Sequence, residues 1–147
     1  MTNNYILKAH EFFANRVDVL KKQVKKLKQT LPSEEFVQHE IVKLAVGVRK
    51  STIEIIPQDP NRREYLLSGD LKKYRRYKQG LQRYRIMFCF SNKPRIIIYL
   101  YLNDEKHLRK DGDKNDPYHE FKSLISKGKV SHNPQDTAVQ KWIQEYK

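Results

Sequence analysis

The sequence predicts an α+β fold: an N-terminal helical hairpin packed on a small antiparallel β-sheet, with short C-terminal helices. Three observations support this prediction. In the first 50 residues, apolar side chains recur at three- and four-residue steps, which places them on one face of a helix. After a loop at 57–61, the pattern changes to short runs rich in aromatic and β-branched residues, which are typical of strands. The links between these runs are short, as in an antiparallel meander.

The N-terminal region, 5–50, is predicted to form two helices. The first runs from Tyr5 to Thr30, and its apolar face consists of Phe13, Val17, Leu20, Val24, Leu27 and Leu31. Pro32 interrupts the pattern, and Ser33 is of the residue type that caps a new helix. The second apolar stripe consists of Phe36, Val37, Ile41, Leu44 and Val48. Because the link between the helices is short, we expect an antiparallel hairpin.

The middle region, 65–103, is predicted to be the antiparallel sheet. Its strands are expected at Tyr74–Lys78, Arg83–Phe90 and Arg95–Leu102, joined by turns at 79–81 and 91–94. Helices that cover one face of such a sheet complete the α+β architecture.

The C-terminal part is predicted to hold a loop and two short helices. Region 104–128 contains an active loop followed by a helix over Tyr118–Lys127, with Gly128 as its stop. In the tail, 129–147, we expect one more helix over Thr137–Tyr146, anchored by Trp142. A chain of 147 residues suits one domain, so 1–147 is predicted to be a single domain.

The net charge and the apolar pattern of the chain limit the partners and the location that it can have. A formal net charge of +13 is large for this length and indicates nucleic acid, an acidic protein or an anionic membrane surface as partner; mere solubility is the alternative. The sequence has no apolar run of about 20 residues and no secretory signal at its start, so we expect neither a membrane span nor secretion. Its single cysteine, Cys89, lies in an apolar run and fits a reducing, cytoplasmic location.

Basic residues are concentrated before and within the second strand. Between 62 and 85 there are nine of them, Arg62, Arg63, Lys72, Lys73, Arg75, Arg76, Lys78, Arg83 and Arg85, against only Glu64 and Asp70. Because side chains alternate along a strand, cations and tyrosines are expected to share the sheet face that the helices leave open. Such a face suits RNA, since cations bind phosphates and aromatic rings stack on bases. The predicted RNA-binding residues are Arg75, Arg76, Lys78, Arg95, Tyr99, Tyr101, Asn103 and Lys114. The alternative is a solvated face with ion pairs across the strands.

The loop after the third predicted strand carries the groups that phosphate chemistry requires. It begins at Asn103 and ends at Tyr118, and it holds cations, carboxylates, a histidine and a tyrosine. The sequence contains none of the usual metal-binding or nucleotide-binding motifs, so no metal and no cofactor are predicted.

The run from Leu102 to Tyr118 resembles the signature of the YhaV toxin family. That signature reads V/L-N-D-E-x-x-L-R-x-x-G-x-K-x-D-P-Y, and the stretch before it, Arg83–Phe88, is similar to the basic and aromatic hairpin of the family. The good match covers 67–128. The tail after Gly128 departs from the family pattern, and Asp113 stands where a small Ser is common.

The resemblance implies a bacterial type II toxin of the RelE-like superfamily, with a small antiparallel sheet flanked by helices. Such toxins cleave RNA, often messenger RNA on translating ribosomes, and a cognate antitoxin, here of the PrlF type, inhibits them. The alternatives are a non-catalytic RNA- or ribosome-binding module and a protein-interaction unit whose charge serves only an acidic antitoxin.

RNA cleavage without a metal can use the ribose 2′-hydroxyl as nucleophile, which assigns roles to the candidate residues. Arg85 is the first candidate for stabilising the charge of the transition state, followed by Arg83 and Arg109. Lys78 and Lys114 are candidates for anchoring phosphates. Asp104 or His107 is the candidate base, and Tyr118 or Tyr101 the candidate acid or stacking surface. Asp104 has a structural alternative, a turn cap, and Tyr118 has one in packing.

Overall fold

A five-stranded mixed sheet organises the fold of the computed structural model, which describes residues 5–146 apart from the side chain of Ala138. In chain order the elements are β1 (Ile6–His10), α1 (Glu11–Thr30), α2 (Ser33–Gln38), α3 (Glu40–Lys50), β2 (Arg75–Tyr77), β3 (Ile86–Asn92), β4 (Arg95–Leu102), α4 (Pro117–Ser126), α5 (Thr137–Gln140) and β5 (Ile143–Glu145). The strand order is β2-β3-β4-β1-β5. The predicted α+β class is therefore confirmed. Within 5–146, no helix combines the length and apolar character needed to span a bilayer.

The predicted antiparallel meander forms, but the sheet as a whole is not antiparallel. Strands β2, β3 and β4 pair antiparallel, with Tyr77 opposite Ile86 and Ile86 opposite Leu102. Strand β1, however, runs parallel to β4, and β5 pairs antiparallel with β1. Residues 6–10, predicted to belong to the first helix, form β1 instead. That helix starts only at Glu11, because His10 caps it by accepting a hydrogen bond from the amide N of Phe12 at 3.2 Å.

The tail also differs from its prediction. The helix expected over 137–146 ends at Gln140, and the chain then enters β5. Trp142, the expected anchor, is 43% exposed. Tyr146 has the anchoring role instead, because its hydroxyl lies 2.7 Å from the Thr52 hydroxyl and its ring packs edge-on against Phe13.

Both faces of the sheet are covered. Helices α1 and α3 pack on one face, over a core cluster that includes Phe13, Leu20, Leu44, Val48, Ile86, Phe88, Ile97, Tyr99 and Leu102. Helices α4 and α5 pack on the other, over Met87, Cys89, Ile98, Leu100, Tyr101, Phe121 and Val139. The prediction that one face stays open as an RNA platform is therefore wrong, and the candidate site has to lie at an end of the sheet.

An irregularity in β4 moves its tyrosines away from the expected face. Phe88 pairs with Tyr99, whereas Met87 pairs with Tyr101, so Leu100 has no partner on β3. The strict alternation of faces is broken there. Tyr99 points into the cluster under α1 and α3, and Tyr101 into the cluster under α4. Simple counting along the strand had placed both on one exposed side.

Candidate functional site

The loop after β4 is fastened to the segment before β3. The amide N of Arg109 donates to the Arg83 carbonyl at 3.0 Å, and Nε of Arg83 donates to the Arg109 carbonyl at 3.1 Å. This reciprocal pair brings two predicted site residues together at the carboxyl end of β4. The loop therefore has a fixed path across this end of the sheet.

Asn103 is the centre of this arrangement. Its side chain is fully buried; Oδ1 accepts from the amide N of Arg85 at 2.7 Å, and Nδ2 donates to the carbonyls of Arg83 at 3.2 Å and His107 at 2.7 Å. Its own carbonyl accepts from Nε of Arg16 on α1 at 3.3 Å. Asn103 was predicted to contact RNA, but a buried amide with these partners cannot do so. It positions the backbone of three other candidate residues instead.

His107 is held between two carboxylates. Its Nδ1 lies 2.7 Å from Oδ1 of Asp104, and its Nε2 lies 2.9 Å from Oε2 of Glu120. The other carboxylate oxygen of Glu120 accepts a hydrogen bond from the Tyr101 hydroxyl. The ring donates to both carboxylates only when both of its nitrogens carry protons. Because the side chains of Asp104, His107 and Glu120 are about a quarter to a third exposed, the cluster remains accessible to a ligand.

The environment sets the ionisation of two members of this cluster. Burial by itself would raise the pKa of Asp104, but the hydrogen bond and charge of His107, with the amide of Lys106, lower the pKa below its usual value. Burial, followed by the bond to Glu120, raises the pKa of Tyr101 far above the usual value for a tyrosine. Asp104 is therefore a carboxylate at neutral pH. Tyr101 stays protonated and, at 3% exposure, offers neither the proton source nor the stacking surface that was predicted.

The Asp-Pro-Tyr segment of the loop starts α4. Oδ2 of Asp116 accepts from the amide N of Tyr118 at 3.0 Å, and Oδ1 accepts from the amide N of Lys110 at 2.7 Å. Pro117 occupies the first turn of the helix, where a missing N–H has no cost. Asp116 is thus a buried N-cap that also closes the loop.

Arg109 and Tyr118 belong to the same structural unit. The Arg109 guanidinium donates to Oδ1 of Asp116 at 2.8 Å, pairs with Asp111, and lies 5.0 Å from the centre of the Tyr118 ring. The Tyr118 hydroxyl accepts from Arg76 at 3.2 Å. Burial would lower the pKa of Arg109, but its two carboxylate partners raise the pKa. Its charge is compensated inside the protein, which argues against a role in transition-state stabilisation.

Arg83 and Arg85 differ from Arg109 in this respect. Within residues 5–146, neither guanidinium lies within 4.0 Å of a carboxylate. Arg85 NH1 donates to the carbonyls of Gln82 at 2.6 Å and Tyr84 at 2.8 Å, which hold its side chain against the segment before β3. Both residues thus bring uncompensated positive charge to the end of the sheet where His107 lies.

Other predicted RNA-binding residues lie elsewhere. Arg95 starts β4 at the opposite end of the sheet, where its guanidinium sits 4.4 Å from the centre of the Tyr5 ring. Tyr99 is buried, and its hydroxyl donates to the Thr52 carbonyl at 2.6 Å, which contradicts a stacking role. Arg75 packs over Phe90 at 5.5 Å from the ring centre. Lys78, at the end of β2, and Lys114, in the loop, are exposed, so a phosphate contact at either stays a prediction.

Comparison with known proteins identifies the family. A family model described as "Toxin with endonuclease activity, of toxin-antitoxin system" matches residues 7–141. The chain belongs to the YhaV toxin family. It is 34% identical over 139 residues to "Ribonuclease toxin YhaV" of Escherichia coli K12, covering 91% of this chain and 88% of the relative. The "Toxin YhaV" of Escherichia coli O157:H7 matches with the same identity and coverage. Among solved structures, none matches the chain significantly.

Membership of the YhaV family confirms the toxin and endonuclease predictions and implies an antitoxin as partner. It leaves the roles of individual residues untested. Of the YhaV-like run in this chain, Asn103 and Asp116 hold the loop in place, whereas Asp104 and His107 face a solvent-accessible cluster. Within 5–146, no group of three or more His, Cys, Asp or Glu side chains is arranged to hold a metal ion.

Glu120, Asp116 and Arg16 contribute to the site but were not among the predicted site residues. The signal for Asp116 was available, because an Asp before a Pro at a helix start is a common N-cap pattern. Glu120 gave no such signal, since its contact with His107 depends on how α4 packs over the sheet. Arg16 lies on a helix far from the loop in sequence.

Proposed function

We propose that this toxin is an endoribonuclease that cleaves RNA at the carboxyl end of β4, by attack of the ribose 2′-hydroxyl on the adjacent phosphorus. One observation carries the proposal. His107, held between Asp104 and Glu120, lies on the same Asn103-centred framework as Arg83 and Arg85, which have no carboxylate partner in the described chain. A proton-transfer group and uncompensated guanidinium charge at the same end of the sheet are what cleavage of a phosphodiester requires.

The proton transfers follow from the cluster. In the reaction a bond forms from the 2′-oxygen to phosphorus and the bond from phosphorus to the 5′-oxygen breaks, so the 5′-oxygen needs a proton. His107 in its doubly protonated form is the proton donor: Asp104 orients the ring through Nδ1, and the proton on Nε2 passes to the 5′-oxygen once the substrate displaces the contact with Glu120. The side chain of Asp104 is ionised and 33% exposed, so it can accept the proton of the 2′-hydroxyl. The product is a 2′,3′-cyclic phosphate.

The arginines supply the charge stabilisation. Arg83 and Arg85 present permanent positive charge to the phosphorane, and a guanidinium can bind two of its oxygens at once. Arg109 has a different role: tied to Asp111 and Asp116, it shapes the loop that carries His107. These roles agree with the sequence-based choice of Arg85 as first candidate, and they exclude Arg109 from the residues proposed to act on the transition state.

The biological setting of the reaction stays a prediction in its details. The family supports an antitoxin partner. A PrlF-type antitoxin, messenger RNA on the ribosome as substrate, a cytoplasmic location, a metal-independent reaction and a single RelE-like domain are further parts of the proposal. The net charge of +13 supports the RNA substrate and an acidic binding segment in the antitoxin.

The test compares purified variants on an end-labelled RNA in the presence of EDTA. We expect Arg85→Ala and His107→Gln to lower the cleavage rate by about a hundredfold or more. Arg95→Ala is the matched control, since Arg95 lies at the other end of β4; its rate should stay close to that of the wild type. A DNA strand of the same sequence should remain intact, and the RNA products should carry 2′,3′-cyclic phosphate ends.

Two results would contradict the proposal. If Arg85→Ala and His107→Gln fold normally and cleave at the wild-type rate, the site lies elsewhere. If the wild-type protein binds the RNA but leaves it uncut, the alternative of a non-catalytic RNA-binding module takes its place.

A further inference from the structure

A cleft of about 550 Å³ lies directly beside the proposed active site. It runs between the start of α3 and the segments 80–84 and 105–108. Its polar and aromatic lining includes Glu40, Gln82, Arg83, Tyr84 and Glu105. The volume lies in the range of sites that bind small molecules and single residues of a polymer.

The charge of this cleft differs from that of the protein around it. In a chain of net charge +13, the cleft is lined by two carboxylates, Glu40 and Glu105, and two cations, Lys43 and Arg83. The two cations offset the two carboxylates, so the cleft lacks the surplus of positive charge that binds an RNA backbone. Carboxylates accept hydrogen bonds from a neutral ligand that presents N–H groups. The cleft is therefore matched to an uncharged, hydrogen-bond-donating part of the substrate.

Tyr84 and Leu108 give the cleft the surfaces that a flat ring requires. Tyr84 is half-buried, packs against the core cluster under α1 and α3, and lines the cleft together with Leu108. Burial and the nearby charges of Glu105 and Glu40, opposed by Arg16, raise the pKa of Tyr84, so its hydroxyl remains a donor at neutral pH. Aromatic and apolar walls with polar groups at the rim are the usual features of protein sites for unpaired RNA bases.

The cleft is continuous with the catalytic loop. Glu105 and Leu108 line the cleft and belong to the same loop as Asp104 and His107. Arg83 lines the cleft as well, and its backbone is held by Asn103. A base in the cleft would therefore keep its own phosphate near Arg83 and His107.

We propose that this cleft binds a guanine base next to the scissile phosphate, with Glu40 and Glu105 accepting its N–H groups. Guanine presents an imino and an amino N–H side by side, so each of the two carboxylates can accept a hydrogen bond from one of these groups. Adenine and cytosine place an acceptor nitrogen beside their amino group, which a carboxylate repels, and uracil offers a single N–H. The inference rests on the proposed function, since it names the substrate feature that the same site selects.

The test measures binding with probes that cannot be cleaved. Short 2′-O-methyl oligouridines carry one central guanine, inosine, adenine or cytosine, and fluorescence anisotropy gives their affinities for the full chain. We expect the guanine probe to bind about tenfold or more tighter than the other three, because a site built for N–H donors discriminates against analogues that lack them. Inosine lacks the amino group and tests that contact alone.

Two variants and a control test which carboxylates cause the preference for guanine. Glu40→Gln and Glu105→Gln should each reduce the preference for guanine, because an amide oxygen is a weaker acceptor than a carboxylate and the amide NH2 cannot pair with an N–H donor. Glu54→Gln changes an exposed carboxylate that lines a different depression and should leave the preference intact. Equal binding of the four probes to the wild type, or a guanine preference that survives in both variants, would overturn the inference.

Mapping the cut sites in a long RNA separates this inference from the proposed function. If the RNA is cleaved but guanine is not enriched at a fixed position beside the cut, the proposed base-binding role of the cleft is refuted and the ribonuclease proposal stands. If the protein prefers guanine in binding but cleaves no RNA, the base-binding role of the cleft is supported and the proposed nuclease mechanism is refuted.

Discussion

Replacing Asn103 with Ala should destabilise the protein more than any single exposed substitution in the loop. The side chain is fully buried and forms hydrogen bonds with the Arg85 amide and the carbonyls of His107 and Arg83. The Arg83 carbonyl keeps a partner, because it also accepts from the amide of Arg109. The Arg85 amide and the His107 carbonyl lose the bond from Asn103; an unsatisfied buried group costs about 1–3 kcal/mol, and the lower half of that range applies because both groups are partly buried. We therefore expect a loss of about 3 kcal/mol, which lowers Tm by roughly 6–12 °C for a domain of this size.

The assay is urea and thermal unfolding of Asn103→Ala, Asn103→Asp and the wild type. Asn103→Asp keeps the acceptor for Arg85 but places an oxygen against the carbonyls of Arg83 and His107, so it should also destabilise. Asn92→Ala is the control, since Asn92 is exposed and accepts one bond from Tyr5 at the far end of β3. Where the Asn103 variants are folded, their cleavage rate should fall, because Arg85 and His107 are displaced. An unfolding free energy of Asn103→Ala within about 0.5 kcal/mol of the wild type would refute the reasoning.

Three further predictions concern the loop and the core. Asp116→Ala removes the N-cap of α4 and the closure of the loop and should cost about 2 kcal/mol in urea unfolding, whereas Asp111→Ala, at a side chain that is 93% exposed, should cost less than about 0.5 kcal/mol. The folded state lowers the pKa of Asp104, so the contribution of this carboxylate to stability is present above its unfolded pKa of about 3.9 and disappears as the pH falls through the folded pKa. The difference in unfolding free energy between the wild type and Asp104→Asn should therefore shrink between about pH 5 and pH 3. A constant difference would contradict this. Burial raises the pKa of Cys89 to about 12, so a thiol reagent at pH 8 should modify Cys89 only after denaturant is added, and rapid labelling of the folded protein would show that the thiol is accessible.

Periodicity was sufficient to predict the meander and α4, because each has an uninterrupted pattern and a clear turn or cap at its ends. It failed for β1, where the five residues Ile6–His10 run directly into a helix and where the capping group is a histidine, which is not among the favoured N-caps. It failed again after Tyr99, since one unpaired residue, Leu100, exchanges the faces of everything that follows it. No local signal in the sequence marks that irregularity.

The candidate site was predicted in part for a simple geometric reason. Arg83 and Arg85 precede β3, and the loop with His107 follows β4, so antiparallel pairing of β3 and β4 brings both to one end of the sheet. The sequence could not distinguish a cation without a carboxylate partner from one that is paired with carboxylates, which is the difference between Arg85 and Arg109. Glu120 escaped prediction because only the packing of α4 places it against His107.

The position of β1 also sets an order of events during protein synthesis. Its neighbours in the sheet come from 96–99 and from 143–145, so the first strand of the chain waits for segments that are translated much later. Pairings between such distant segments form slowly, because the chain loses the entropy of closing a long loop before the new contacts stabilise it. We expect the sheet to be completed only once Glu145 has left the ribosome, so a shorter nascent chain does not yet contain the assembled sheet.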